Sequence, residues 1–423
     1  MFNAPQPRSR LYTTVPAYVK GLRAALFGAA YNGTGVERLE QALADSAPRY
    51  HVVAVPMARV GIYLVIKHLI RKGQKVILSP YTISDLVNMV LCAGGIPVFV
   101  DIEKGGSCNI DAAAVQELLE TEDNIGAVMA THFYGLICNM APILDACKAK
   151  GIPVIEDAAQ AFGARLEGRP AGALADVGIY SFGLLKNVTG FLGGAVLTKD
   201  ASLAASIRQE LEQFLAVPRK ALLKKIMAGV AFDFATAPIV FDSAVYWLFR
   251  YAYLHDLEFF NNKLDTDRNP ISYSVFPEKY AARMSGGQAD IIVSQLATYE
   301  KQTQERVTKA RIYNDGLSDL PGIVLPPLRT DGSHLYLKYA IQAEERDKLA
   351  RFMTERLRDV QISHHRNCAS LPCFSDFYRD CPNAEKAAQR VIYLPLYPVY
   401  KDEQVRANVE AIRSYLQEAN TWR

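Results

Sequence analysis

Between residues 50 and 200, short β-branched runs alternate with stretches of helical spacing, and this alternation leaves few folds open to the chain. The runs are Lys75-Val76-Ile77-Leu78, Pro97-Val98-Phe99-Val100, Ala127-Val128-Met129-Ala130, Pro153-Val154-Ile155 and Gly178-Ile179-Tyr180. Residues 57–70, 85–93, 111–119 and 141–150 lie among them, with apolar positions recurring every three or four residues. Strand and helix in repetition predict an α/β fold, with a central mostly parallel sheet flanked by helices. In such a sheet the polar residues that end the strands gather along one edge, where ligands of open α/β folds bind. Asp101, Thr131, His132, Asp157 and Ser181 all fall near such ends.

Lys186 follows Ser181 in the largely uncharged run Ser181-Phe182-Gly183-Leu184-Leu185-Lys186, with Gly190, Gly193 and Gly194 beyond it. Desolvation there lowers the pKa of a lysine and favours its free amine. An amine that captures an aldehyde, a carboxylate that keeps a ring nitrogen protonated, and a hydroxyl with glycine amides for a phosphate are the requirements of pyridoxal phosphate. On this reading Lys186 and Asp157 are the catalytic residues, at the aldehyde and the ring nitrogen. Gln160 reaches the phenolic oxygen as an uncharged donor, and Ser181 serves the phosphate. Glu156 points to the opposite face, because side chains alternate along a strand.

The same residues sit within a longer set of motifs: Glu37-Arg38-Leu39-Glu40, Pro80-Tyr81-Thr82, Gly94-Gly95-Ile96-Pro97, Thr131-His132-Phe133-Tyr134-Gly135, Glu156-Asp157-Ala158-Ala159-Gln160, Tyr180-Ser181-Phe182 with Lys186, Arg283-Met284-Ser285 and Leu394-Pro395-Leu396-Tyr397-Pro398. With these, over nearly its whole length, the chain resembles the DegT/DnrJ/StrS-type sugar aminotransferases. The resemblance implies the type I pyridoxal phosphate-dependent fold, aspartate aminotransferase-like, and a homodimer with shared active sites. It also implies an amino-acid donor, usually glutamate, and a keto-sugar acceptor, usually nucleotide-linked, in surface-glycan or secondary-metabolite synthesis.

Departures from the family pattern carry further expectations. Met57-Ala58-Arg59 replaces a Gly-Thr-Ala phosphate turn, still at a helix N-terminus, so Ala58 and Arg59 are expected to bind the cofactor. Ala281 stands where the family often sends an asparagine to the partner's phosphate, and Arg59 is expected to compensate. Ile83 stands where an aromatic often covers the cofactor ring, which leaves that task to Ile83 or Tyr81. Leu192 replaces a glutamate. His132 either lines the pocket or belongs to the core; His364, His365 and Arg366 either reach the substrate or lie in a solvated loop. Ile83, Ala281 and Leu192 also admit a sensory or scaffolding protein without turnover. Deoxygenating dehydratases of this fold replace the lysine, so Lys186 argues against that chemistry.

Two domains are expected, a large one at 20–315 and a small α/β one at 316–423, with one long helix at 289–314 leading from the first to the second. An insertion at about 215–265 fits neither. Arg219, Lys220, Lys224 and Lys225 precede residues 226–249, of which 18 of 24 are apolar, yet Asp233, Pro238 and Asp242 interrupt the run. A spanning helix needs about 20 unbroken apolar residues, so this is no convincing span. Two readings stand: helices packed in the core or on a second subunit, or an amphipathic pair, at 219–253, in peripheral contact with anionic lipid.

The net charge of +3 is spread along 423 residues, which argues against a nucleic-acid partner. Seven cysteines without a CxxC argue for reduced thiols, and Cys368, Cys373 and Cys381 after His364 and His365 match no common zinc spacing, so no metal is expected. Residues 1–20 lack the apolar stretch of a secretory signal, so the expected compartment is the cytoplasm, with membrane association if the insertion touches lipid.

Overall fold

The computed structural model describes residues 4–11, 13–27, 34–255 and 269–421. Its main sheet has seven strands: β1 (His51–Val55), β2 (Lys75–Leu78), β3 (Ile96–Phe99), β4 (Ile125–Thr131), β5 (Val154–Asp157), β6 (Val177–Ser181) and β7 (Gly194–Thr198). Their order is β1-β7-β6-β5-β4-β2-β3, parallel from β6 through β3, with β7 antiparallel to both of its neighbours. Successive residues alternate between two cores. Val128 and Ala130 of β4 pack on one face of the sheet, Ala127 and Met129 on the other. A strand buried on both faces has no polar side, which is why β4 reads as a continuous apolar run.

Helices α1 (Val15–Phe27), α2 (Gly35–Ser46), α3 (Ala58–Leu69), α4 (Ser84–Cys92), α5 (Ala112–Thr121), α6 (Met140–Lys150) and α7 (Ala201–Glu212) accompany the sheet. Asp111 and Asp200 start α5 and α7 by accepting two backbone N–H groups each. Farther along lie α8 (Arg219–Ala235), α9 (Pro238–Leu254), α10 (Gly286–Val293), α11 (Tyr299–Leu317), α12 (Arg346–Glu355), α13 (Pro382–Arg390) and α14 (Asp402–Thr421). A second sheet, β8 (Ile323–Val324), β9 (Tyr339–Ala343), β10 (Gln361–Ile362) and β11 (Val391–Leu394), is antiparallel throughout in the order β8-β9-β11-β10.

The single helix expected at 289–314 is two, α10 and α11. The Gln295 side chain spends its donor on the carbonyls of Thr189 (2.6 Å) and Ile291 (2.8 Å), and the Ser294 hydroxyl donates to Ile291 at 2.8 Å. Side chains that satisfy backbone carbonyls in this way stop a helix from continuing. Asp101, at the end of the main sheet, accepts the N–H groups of Asn383 and Ala384 at 2.9 and 2.8 Å, so it caps α13. The short strand Tyr81–Thr82 pairs with Arg366–Asn367 and ties the two sheets together.

The insertion forms α8 and α9, which meet at a bend of 65°; among the described residues no single helix is long and apolar enough to cross a membrane. Its expected tail, 256–265, lies outside the described residues. One side of the pair is packed. Leu222 and Ile226 join Ala17 and Ala25 of α1, Phe191 and Ile291; Tyr18 donates to Asp233 at 2.7 Å; Tyr246 donates to the Thr354 carbonyl at 2.7 Å. The other side leaves Met227, Phe234, Ile239, Trp247, Leu248 and Tyr251 in solvent, Phe234 at 68 % and Ile239 at 84 % exposure.

Candidate active site

Glu156 and Asp157 end β5 on opposite faces, and their surroundings differ accordingly. Glu156 is fully buried and accepts the N–H groups of Gly172, Leu174 and Ala175 at 2.8, 2.6 and 2.7 Å, with His132 Nε2 at 3.0 Å. The Cys138 N–H approaches His132 Nδ1 at 3.2 Å, which places a ring proton on Nε2, facing Glu156. His132 therefore belongs to the core and not to the pocket. Asp157 accepts the Ala159 N–H at 3.1 Å and the hydroxyl of Thr131, its register partner on β4, at 3.4 Å. Burial raises its pKa against the pull of that N–H and of the Lys186 charge.

Lys186 sits in the lobe after β6. Phe182 anchors the lobe: its N–H donates to Gly193 and its carbonyl accepts the Gly190 N–H, both at 2.9 Å, while Lys186 N–H donates to Gly183 at 3.1 Å. The side chain is partly buried, and desolvation lowers its ammonium pKa to about 8 although the Asp157 carboxylate pulls upward. The two groups act on each other electrostatically without closing into an ion pair.

Ser181, the last residue of β6, pairs with Gly194, which also pairs with Val55 just before α3. A Cβ on Gly194 would lie 2.8 Å from the Ala58 amide nitrogen and 2.7 Å from the Tyr180 carbonyl, so only glycine lets the start of α3 come this close. No side chain caps that start. Gly194 thus brings Ser181 and the first amides of α3, those of Ala58 and Arg59, to the same end of the sheet. Gln160 Oε1 accepts the Tyr134 N–H at 3.1 Å, which fixes the amide and leaves Nε2 as donor.

Two expectations require correction. The Arg59 guanidinium is bound by the Asp85 carboxylate, by the Tyr280 hydroxyl at 3.0 Å and by the Tyr280 ring at 5.3 Å, so its charge is not free to replace the asparagine missing at Ala281. Asp85, which holds it, stands in the first turn of α4. Tyr81 has no exposed surface: Phe133 and His365 pack on its ring, and its hydroxyl bonds Tyr134 and Ser363 at 2.9 and 3.0 Å. It has no face to offer a cofactor, whereas Ile83 is only half-buried at the start of α4.

The C-terminal segment also reaches this edge. His365 is buried, not in a solvated loop, with Nδ1 3.0 Å from the Tyr393 hydroxyl; His364 stacks on it at 4.4 Å, and Arg366 pairs with Thr82 in the short inter-sheet ladder. Residues absent from the expected set are Tyr134, Ser363, Tyr393 and Lys338; Tyr134 lies in the motif Thr131-His132-Phe133-Tyr134-Gly135, and Lys338 leaves a signal as a charge inside the apolar run Leu335-Tyr336-Leu337-Lys338-Tyr339-Ala340-Ile341. The residues present fit the chemistry of pyridoxal phosphate: an uncapped helix start and a serine hydroxyl for the phosphate, and a desolvated amine, a buried carboxylate and an amide donor at Lys186, Asp157 and Gln160 for the rest.

A profile of the DegT/DnrJ/EryC1/StrS aminotransferase family matches residues 20–232 and 267–413. The chain belongs to this family. Membership makes it an aminotransferase on the type I pyridoxal phosphate-dependent fold. The segment that the match skips, 233–266, holds the end of α8 and all of α9. The chain is 26 % identical over 399 residues to the spore coat polysaccharide biosynthesis protein SpsC of Bacillus subtilis (strain 168), covering 92 % of this chain and 91 % of that one. It is 25 % identical over 390 residues, 90 % of each chain, to GDP-perosamine synthase of Escherichia coli O157:H7. The crystal structure of DesI in the presence of its TDP-sugar product shares the fold at a TM-score of 0.73 and 22 % identity, covering 100 % of this chain and 95 % of that one.

Proposed function

We propose that this aminotransferase moves an amino group from an amino acid, glutamate being the expected donor, to a nucleotide-linked keto sugar used in glycan assembly. The observation that carries the reading is that Lys186, with its amine desolvated, and the buried Asp157 carboxylate lie within reach of each other's charge, in a chain that also offers an uncapped start to α3. Relatives named for polysaccharide biosynthesis and for making perosamine support a sugar acceptor.

Pyridoxal phosphate, when bound, supplies an aldehyde that takes up amino groups and a ring that withdraws electrons from the attached carbon. Lys186 would hold the aldehyde, and its amine, with its pKa lowered by burial to about 8, would take and return the proton at the donor carbon near neutral pH. Asp157 keeps the ring nitrogen protonated. Gln160 Nε2 would bind the phenolic oxygen, the Ser181 hydroxyl and the Ala58 and Arg59 amides would hold the phosphate, and Ile83 would pack on the ring. The same proposal divides the chain into units at 20–315 and 316–423 and assembles it as a homodimer with shared sites.

Localisation belongs to the proposal too. The exposed apolar side of α8 and α9, headed by the exposed cations Arg219, Lys220, Lys224 and Lys225, suits the cytoplasmic surface of an anionic membrane, with aromatic and aliphatic side chains at headgroup depth. Flotation with anionic but not neutral vesicles supports this placement, and absence of flotation removes it.

Glutamate added to the reconstituted enzyme is expected to convert the cofactor absorbance to that of its amine form, and a keto sugar to restore it. No conversion with any amino acid would leave a protein that keeps the fold without turnover.

A further inference from the structure

Strand β9 is entered through Leu335-Tyr336-Leu337-Lys338, and this entry is strapped to the large sheet. The Leu335 N–H donates to the Gly135 carbonyl at 3.0 Å and the Leu337 N–H to the Tyr134 carbonyl at 2.8 Å. Tyr339 turns into the small core, while Ala340, on the same face of the strand as Lys338, packs in the core that holds Tyr81 and Tyr393. The Lys338 ammonium lies 5.6 Å from the centroid of the Tyr393 ring. That ring is locked, because its hydroxyl is bonded to Ser363 (2.7 Å), His365 (3.0 Å) and Tyr134 (3.2 Å). Lys338 is thus a cation presented on a fixed aromatic face.

It has no counter-charge. Lys338 is partly buried, and among the described residues no carboxylate pairs with it. The charges that act on it are those of Lys186 and Arg8, both positive, and Arg8 is itself paired with Asp359 at 2.6 Å. His365, across the Tyr393 hydroxyl, is kept neutral by burial and by the charges of His364, Lys186 and Lys338. Burial and these like charges lower the Lys338 pKa to about 8. Two amines therefore lie within reach of each other's charge, and the Asp157 carboxylate acts on Lys186. Such an arrangement is eased by an incoming anion.

We propose that Lys338 binds the carboxylate of the amino-acid donor, holding the anion beside the amine that arrives at Lys186. This rests on the aminotransferase reading above. The carboxylate of an α-amino acid is bonded to the same carbon as its amine, so the cation that recognises it must lie within the field of Lys186, as Lys338 does. The phosphates of a nucleotide sugar are separated from the reacting carbon by the sugar ring, and the cofactor phosphate is provided for at Ser181 and the start of α3.

The test uses the holoenzyme with Lys338→Gln and Lys338→Arg, and glutarate, a dicarboxylate without an amine, as the calorimetric probe. Lys338→Gln is expected to weaken glutarate and raise the KM for glutamate by about tenfold or more, the usual weight of a charge-assisted bond, with little change in kcat or in the KM for the keto sugar. Lys338→Arg restores most of the loss. Glutarate affinity in the unaltered enzyme falls as the pH rises past about 8, where the ammonium loses its proton, and Lys338→Gln abolishes that fall. An unchanged glutarate affinity and pH slope in Lys338→Gln overturns the proposal. So does a loss of affinity for uridine or thymidine diphosphate in place of glutarate, which would assign the cation to the nucleotide. Failure of the unaltered holoenzyme to accept nitrogen from any amino acid would sink the aminotransferase reading instead, while glutarate binding still reports on Lys338.

Discussion

The pocket at Lys186 and the bent pair α8–α9 touch, yet they are built on opposite principles. A Cβ added at Gly229 of α8 would lie 3.2 Å from Leu184, two residues before Lys186. In the pocket, position is fixed by polar groups with assigned partners: the Asp157 carboxylate by the Ala159 N–H, the Gln160 amide by Tyr134, the start of α3 by Gly194. On the outer side of the helix pair, side chains such as Phe234 and Ile239 have no partner and share only apolar character. The family profile covers the first region and skips most of the second. Chemistry demands particular residue types at particular points, whereas an exposed apolar surface is defined only by a sum of area.

The largest expected contrast comes from Lys186→Ala, which should lower transamination on the order of 10⁴-fold, the upper range for a proton-transfer group, while vesicle binding is unchanged. Asp157→Asn should cost about 10²- to 10³-fold in kcat, the scale of a lost electrostatic partner in a dry site, again without effect on vesicles. The converse variant, Phe234, Ile239, Trp247 and Leu248 all replaced by serine, should weaken partition onto anionic vesicles about a hundredfold and leave kcat with water-soluble substrates within about twofold. A fall in kcat as large as for Asp157→Asn would erase the division between the regions. Gly229→Leu probes their contact: the added side chain meets the Tyr18 ring and Leu184, and overpacking should cost about 1–3 kcal/mol, read as a lower melting temperature.

How much of this was legible in the sequence follows the same division. The parallel strands and their helices announce themselves by period, and the opposite fates of Glu156 and Asp157 follow from alternation alone. What escaped depended on distant partners. The break between α10 and α11 is made by Gln295 bonding to Thr189, 106 positions away, which no local pattern reveals. Arg59 reads as a free cation until Asp85 is folded against it, and Tyr81 reads as a stacking platform until Phe133 and His365 close over its ring. Lys338 was visible as a lone charge in an apolar strand, but its meaning lies in Tyr393 and Lys186, which the fold brings from either side.

Two lysines with pKa values near 8 meet at this site, and only one is assigned the cofactor aldehyde. Borohydride reduction of the loaded enzyme, followed by peptide mapping by mass spectrometry, separates them directly. The account predicts a pyridoxyl label on the peptide carrying Lys186 and none on that carrying Lys338; label on Lys338, or on any lysine remote from Asp157, would contradict it.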